Sequence, residues 1–422
     1  MGQKGEDYEI WLEGVTRPSY PKLTEDLEID TLIVGGGITG VFSAYELAKA
    51  GASVALVEKG RLGEWTTDCT TGFLTQSIDT SYQDLKFAFG EDGARQVAQS
   101  HRLAIEYISQ IITKENIACD FKSLSTKILA KTKKETEHLE RELVAMRSVG
   151  INADYQPVSL CNSFARGYLE LADQATYHPL KFLTALAEIA TRHGAKIYEE
   201  TEALALEKKG DRWIIKVGDK QIIAKNVVIT TYSPWQEPWH LYFKKALYRS
   251  YVLELEAPGE VLADGLYEDL SRPYHYSRVV NRDGKCQIIF GGEDHREDLK
   301  LGRAKNYHAL LNHAEKFFST PELKVVRRWS GQLLESIDGL PYIGQDQKSG
   351  LYYAFAFSGN GLTYSAIAAS LLGELITNKV GLMSPFQSLY RVNRWPKLKA
   401  LLIKGRDYGW TFVGGALKNI FS

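Results

Sequence analysis

The stretch Asp30-Thr31-Leu32-Ile33-Val34-Gly35-Gly36-Gly37-Ile38-Thr39-Gly40 decides how this chain is read. Thr31 to Val34 is a short apolar run of the kind a buried parallel strand carries, and it ends abruptly in glycine. Beyond Gly40 the apolar positions Val41, Tyr45 and Ala48 recur at helical spacing until Gly51 stops the pattern. Strand, tight turn and helix thus frame Gly35-x-Gly37-x-x-Gly40, the spacing of a dinucleotide-binding turn. There the first glycine permits the turn, the second lets a pyrophosphate reach the backbone, and the third lets helix and strand pack closely. The helix start, at Ile38 and Thr39, offers free N–H groups and a partial positive charge to phosphate. A second strand, Ser53 to Val57, leads into Glu58 and Lys59. A carboxylate there, about 20 residues on, is placed for the ribose hydroxyls.

Length and charge narrow the rest. A chain of 422 residues and 47.4 kDa is expected to form two domains. A net charge of −1 and a pI near 6.8 speak against nucleic acid as a partner. Cys69, Cys119, Cys161 and Cys286 are scattered and form no CxxC or Cys/His ligand pattern, so no metal is expected and the thiols suit a reducing compartment. Met1 to Glu6 carries no apolar core for a signal peptide, and no apolar run reaches the ~18 residues that span a bilayer. These features set the expectation of a soluble, cytoplasmic protein.

In chain order, residues 1–28 read as an extended lead-in with Trp11, and Thr67, Thr70, Thr71 and Gly72 as a polar segment beside the first unit. From Tyr82 to Gly150 the pattern is helical, and 151–176 is expected to be irregular. Leu180 to His193 predicts a helix, with Pro179 and His178 at its start. Strands follow at 196–201, 213–217, 221–224 and 226–230, then at 248–256 and 274–290, where Asp283-Gly284 is a hairpin turn. A helix is expected from Arg303 to Phe318. Near the end, Asp338-Gly339-Leu340-Pro341 precedes a strand, Leu351 to Phe357. The loop Ser358-Gly359-Asn360-Gly361-Leu362-Thr363 and a small-residue helix, Tyr364 to Ile376, complete a second strand–glycine–helix unit.

Together these motifs resemble the FAD-dependent oxidoreductases of the D-amino-acid oxidase, glycine oxidase and sarcosine oxidase superfamily. The likeness is closest to the branch that usually carries a Rieske domain after the flavin part. Trp11, Thr70-Thr71, Gly291-Gly292 and Arg328-Trp329-Ser330-Gly331-Gln332 carry that closer likeness. The resemblance implies an α/β fold: a doubly wound, discontinuous FAD domain (25–80, 151–235, 326–380) with an inserted mixed-sheet substrate domain (81–150, 236–325), then a basic, aromatic tail (381–422). It implies noncovalent FAD held at Gly35, Gly37, Ile38, Thr39, Gly40, Glu58, Lys59, Thr67, Thr70, Thr71, Gly72, Ala203, Gly339, Gly359, Asn360, Gly361, Leu362 and Thr363. The chemistry implied is hydride transfer from a C–H bond next to nitrogen in a small amine or amino-acid-like substrate, with the flavin supplying the reactivity.

The chain departs from that pattern in three places. The arginine that holds an amino-acid carboxylate in this superfamily is replaced by Leu333, preceded by Gln332, which removes the charge and the bidentate fork. No Rieske ligand set is present, and no cysteine stands near Trp329 to Gln332, where sarcosine-type enzymes attach flavin. Candidates around the ring are Gln332, Tyr251 with Arg249 on a substrate-domain strand, and His295 within Asp294-His295-Arg296. Each has a plainer structural reading, as does His178. Cys69 stands where some relatives link flavin covalently, but Asp68 beside it disfavours a thiolate. The tail carries Arg391, Arg394, Lys397, Lys399, Lys404, Arg406 and Lys418 among Trp395, Leu398, Leu401, Leu402, Trp410, Phe412 and Phe421. It reads either as an arm packed on the FAD domain or as a surface for a redox protein or a membrane. Two competing functions stay open: a nicotinamide-dependent dehydrogenase, which leaves Gly359-Asn360-Gly361 unexplained, and a flavin-binding electron-transfer or sensing module without amine turnover.

Overall fold

The structure is a computed structural model that describes residues 9–157, 165–236, 238–242, 244–282, 284–296, 303–320 and 322–408. In chain order it forms β1 (Leu27–Val34), α1 (Ile38–Lys49), β2 (Val54–Val57), β3 (Phe73–Leu74), α2 (Tyr82–Lys114), β4 (Lys122–Ala130) and α3 (Lys133–Ser148). Then come β5 (Ala153–Gln156), β6 (Gly167–Thr176), α4 (Pro179–Arg192), β7 (Lys196–Tyr198), β8 (Ala205–Lys209), β9 (Arg212–Val217), β10 (Lys220–Ile229) and α5 (Trp239–Tyr242). The remainder is β11 (Lys245–Pro258), β12 (Gly265–Asp269), β13 (His275–Arg282), β14 (Lys285–Arg296), α6 (Arg303–Phe317), β15 (Lys324–Ser336), β16 (Tyr342–Gln345), β17 (Tyr352–Phe355), α7 (Gly361–Thr377), α8 (Gln387–Tyr390) and α9 (Leu398–Tyr408).

Two sheets organise these elements. The first runs β16-β17-β10-β1-β2-β7, with the β8–β9 hairpin attached to β10. Its centre is parallel: Thr31 to Val34 of β1 face Asn226 to Ile229 of β10 on one side and Val54 to Val57 of β2 on the other. The apolar run is needed because both faces are covered. Ile33 packs toward α1, while Leu32 and Val34 join Ala55, Val57 and Ile215 in a second core. The second sheet runs β15-β11-β14-β13-β12-β4-β6-β3, with β5 on β6, and is antiparallel except between β12 and β4. The doubly wound reading and the mixed second sheet both stand.

Three local expectations are corrected. The helical stretch 82–150 is interrupted by β4, and the supposedly irregular 151–176 contains β5 and β6. The β6 sequence, Gly-Tyr-Leu-Glu-Leu-Ala-Asp-Gln-Ala-Thr, is poor in β-branched residues. It becomes a strand through its neighbours, β4 and β5, more than by its own propensity. The lead-in is not wholly extended, since Glu9–Trp11 forms a 3₁₀ turn. Sheet membership also cuts across the expected segment boundaries: β3, β6 and β15 lie in the second sheet. The Asp283 half of the expected hairpin turn lies outside the described residues, but β13 and β14 pair antiparallel as expected.

Candidate functional site

The first helix start is held open by small residues. Gly35 adopts φ +113, and its carbonyl stands 1.9 Å from where a Cβ on Gly40 would lie, so helix and turn meet only because Gly40 has no side chain. At Gly37 the situation is reversed. A Cβ there meets only Thr67 Oγ1, at 3.5 Å, and Gly37 caps α1 without a side-chain hydrogen bond. The Ile38 N–H donates to Thr67 Oγ1 at 3.1 Å. Glu58 accepts from Gly36 N at 2.7 Å and Gly60 N at 2.8 Å, one bond to each oxygen, leaving further lone pairs for hydroxyl donors. Thr201 N donates to the Glu58 carbonyl at 2.8 Å, which brings the Thr201–Ala203 segment beside the same carboxylate. Ala203 itself is buried beneath the first sheet. Lys59 is exposed, its ammonium 5.0 Å over the Trp65 ring.

The second helix start is brought to the first. Thr39 Oγ1 and Ser365 Oγ lie 2.8 Å apart, joining the first turn of α1 to α7. Asn360 caps α7 without a side-chain bond to it, its amide donating instead to Ser77 O at 3.0 Å, and Gly359 N donates to Asp79 Oδ2 at 2.8 Å. A Cβ on Gly361 would meet nothing within 4 Å, Leu362 is buried, and the fully buried Thr363 hydroxyl has no hydrogen-bond partner. Between the two starts runs the Thr67–Gly72 segment. Trp11 Nε1 donates to Thr70 O at 2.6 Å and Trp329 Nε1 to Cys69 O at 2.9 Å, so two indoles fix consecutive carbonyls while Thr70 and Thr71 stay half-buried. Gly339, at φ +83, sits against Thr80, whose Oγ1 a Cβ would approach to 2.6 Å. Open backbone at Gly37 and Gly361, an orphaned Thr363 hydroxyl and the Glu58 carboxylate make a cradle that fits a dinucleotide.

The second sheet supplies the facing wall, and here strand alternation decides which residues count. Tyr251 is fully buried on the side covered by α6, among Leu253, Leu255 and Phe290, with His295 stacked on it at 5.6 Å and Tyr307 edge-on at 5.1 Å. Gln332 alternates with Gly331, and only Gly331 is aimed at the Thr67–Gly72 segment, a Cβ there lying 3.8 Å from Cys69 Cβ. Ser330, on the Gln332 side, accepts from Arg249 Nη1 at 3.0 Å. The opposite face carries Val252, Trp329 and Ile289 against Trp11, and Tyr276, whose ring is 5.9 Å from Phe73 and whose hydroxyl is 3.3 Å from Ser250 Oγ. Asp294, adjacent to His295 in sequence, turns to this face. Its Oδ1 is shut from solvent without a hydrogen-bond partner. Burial pushes the Asp294 carboxyl up to about 7 against a lowering hydrogen bond from Ser250, with Glu335 and Asp79 adding repulsion. Glu268 is likewise raised to about 7 by burial, opposed by Ser77 and assisted by Asp79 and Asp269. Strand periodicity is the signal that separates Asp294 from His295, provided the face is known.

Among the described residues, Asp269, His275 and His313 could in principle share an ion. Lys131 Nζ already lies 2.6 Å from Asp269 Oδ2 and 3.4 Å from His313 Nε2, and the two imidazoles stack at 3.6 Å, too tightly for ligands splayed around one metal. The ammonium is the cation of that cluster.

The family described as FAD dependent oxidoreductase matches residues 30–375. A Bacillus subtilis protein whose name carries the words Rieske 2Fe-2S iron-sulfur protein is 30% identical over 97% of this chain and 80% of its own. Gamma-glutamylputrescine oxidoreductase of Escherichia coli is 24% identical over 88% of each chain. The crystal structure of glycine oxidase from Geobacillus kaustophilus superposes with a TM-score of 0.73 at 21% identity, covering 87% of this chain and 99% of that one.

Two glycines give opposite expectations. If the pyrophosphate lies against Gly37, Gly37→Val should fold, with a melting temperature near that of the flavin-free parent, yet purify without flavin absorbance, because its side chain would occupy that position. Gly40→Ala should lose about 3 kcal/mol of stability through overpacking against Gly35. A fully yellow Gly37→Val protein would overturn the placement of the cofactor.

Proposed function

Because the chain belongs to the family of FAD-dependent oxidoreductases, we propose that it oxidises the C–N bond of a cationic amine in preference to that of a simple amino acid. FAD, when bound, supplies the acceptor for a hydride from the carbon next to nitrogen. The observation that carries the reading is Asp294, a half-buried residue whose Oδ1 is closed to solvent and unpartnered, on the face that meets the Thr67–Gly72 segment. An ammonium group would pair with its ionised form. Asp294 could then take the N–H proton, giving the neutral amine from which hydride leaves. Tyr274 and Tyr276, tilted at 5.7 Å, offer ring faces to the same cation. The position of the superfamily's carboxylate-binding arginine, Leu333, packs instead against the Tyr248–Ile337 cluster and brings no positive charge to a carboxylate. The Escherichia coli relative is named for gamma-glutamylputrescine, which carries an amine, and glycine oxidase is named for an amino acid.

Asp294→Asn should keep its flavin and lower kcat/KM for amines by about a hundredfold with an artificial acceptor. Parent activity should rise with pH as Asp294 ionises near 7. Stability should run the other way. The folded state holds the Asp294 proton to higher pH than the unfolded chain, so this carboxyl favours folding at low pH and weakens it as pH rises from about 4 to 7. The asparagine variant should therefore melt higher than the parent above pH 7. Unchanged amine turnover in Asp294→Asn, or a parent that prefers amino acids, would sink the proposal. Flavin-loaded protein that turns over neither class would favour an electron-transfer or sensing role.

We further propose that the flavin is not covalently attached. Cys69 is half-buried and its thiol donates to Asp68 Oδ1 at 3.4 Å, a contact within its own segment. Acid precipitation should leave the yellow colour in the supernatant, and colour in the pellet would refute it.

A specific observation also favours surface contact through the tail. No helix among the described residues is long and apolar enough to cross a membrane. Nonetheless Trp395, Leu398 and Leu402 are 88%, 73% and 46% exposed, next to Phe87 at 51%, over which Lys399 Nζ lies at 5.0 Å. From Gln387 to Arg406 the sequence has no acid. An apolar stripe edged by Lys397 and Lys399 suits an anionic lipid surface. Trp395→Ser with Leu398→Ser should abolish sedimentation with anionic vesicles, an interaction that high salt should also weaken. Equal binding by the double variant would remove the idea.

A further inference from the structure

Arg394 stands beyond the residues matched by the family, yet it is tied to the Asp338–Pro341 loop that precedes β16. It is 5% exposed and forks onto Asp338, itself 1% exposed, with Nε 3.0 Å from Oδ2 and Nη2 2.7 Å from Oδ1. Nη1 donates to Pro341 O at 2.7 Å and Tyr390 O at 3.2 Å, Nη2 also donates to Leu340 O, and the guanidinium lies 3.8 Å over the Tyr342 ring. Burial works against the charge, but Asp338 more than offsets it and holds Arg394 firmly protonated. Lys244 adds a second peg, donating to Val392 O at 2.8 Å and Arg394 O at 3.1 Å. The segment that follows α7 is thus fastened to the loop between β15 and β16 by a buried, bidentate pair whose other donors are also used.

That loop is one layer behind the cofactor cradle. Its Gly339 is wedged against Thr80. Thr80 follows Asp79, which holds Gly359 N, and Ser77, whose carbonyl holds the Asn360 amide. The chain of contacts therefore runs from Arg394 through Asp338, Gly339 and the 77–80 segment to the turn that starts α7. We propose that Arg394 is a positioning residue for FAD: it fixes the Asp338–Pro341 loop and, through it, the α7 start, so that the C-terminal segment sets how tightly the flavin is held. No contact of Arg394 with flavin is required. Its fork matters more than its charge, because a lysine cannot hold both Asp338 oxygens and two loop carbonyls together.

The test uses the flavin-loaded protein and its Arg394→Lys, Arg394→Met and Lys244→Met variants. FAD affinity is read from the fluorescence of flavin released on dilution, the ring environment from the visible band shape, and stability from thermal melting. Arg394→Lys should fold, bind FAD about tenfold more weakly and show an altered visible band, since one charge-assisted bond is worth about that factor. Arg394→Met, which strands Asp338 unpaired, should be worse in every measurement. Arg394→Lys with parental FAD affinity and band shape, whether or not it melts lower, would reduce Arg394 to a structural residue and overturn the proposal. Should both Arg394 variants fail to fold, Lys244→Met decides. It should weaken FAD binding several-fold, and unchanged affinity there would equally refute the link.

Discussion

Two helices aim their starts at one place, and the hydroxyl pair Thr39–Ser365 marks where they meet. The cradle that fits a dinucleotide depends on that convergence. Each start presents unpaired N–H groups and the positive end of a helix dipole, which by themselves would repel one another and demand solvent. What keeps them together is packing behind them: α1 and α7 share a core with Val41, Phe42, Ala366, Ile367 and Leu371, and small residues along α7 let the helices lie close. A ligand carrying phosphate at one end and an electron-rich ring at the other relieves the repulsion at both starts.

The part of this arrangement legible in the sequence is the part that is local. From Asp30 to Glu58 every requirement lies within one βαβ unit, so strand, glycine turn, helix and acid can be read in line. The α7 unit is legible for the same reason. What escaped is set by tertiary partners. The β6 strand has a weak sequence signal and exists because β4 and β5 flank it. Tyr251 and His295 look like site residues in sequence, but the faces of β11 and β14 are assigned by α6, which covers one side and leaves Ser250, Tyr276 and Asp294 on the other. An irregularity in pairing between Arg249 and Tyr251 makes simple counting along β11 against β14 unreliable. Arg394 and Asp338 lie 56 residues apart, and nothing in the tail's composition distinguishes this buried arginine from its exposed neighbour Arg391. Of the two readings of the tail, Arg394 supports the packed arm and Trp395 the exposed surface, so one short segment serves both descriptions.

The carboxyls on the second sheet illustrate a common tension. Asp294 and Glu268 sit where burial makes ionisation costly. By contrast, Asp269, on the α6 side of the same sheet, is compensated by Lys131, His275 and His313 and stays ionised. The same sheet therefore carries a satisfied acid on its closed face and strained acids on its open one. Acids with raised pKa values gathered on one face are the pattern expected when function, not stability, has placed the groups.

The two indoles that hold the Thr67–Gly72 segment bear on how the protein is made. Trp11 precedes its acceptor by 59 positions and Trp329 follows its own by 260, and they grip neighbouring carbonyls, at Thr70 and Cys69. The Thr39–Ser365 contact spans 326 positions. During synthesis the first half of the site can form its strand, turn and helix early, but its loop stays half-held until the fifteenth strand has paired and its far helix start does not yet exist. The long-range contacts impose slow closure. A nascent chain thus exposes an incomplete nucleotide cradle for most of its elongation, and free cofactor can act as a late-folding template only once residue 365 has emerged.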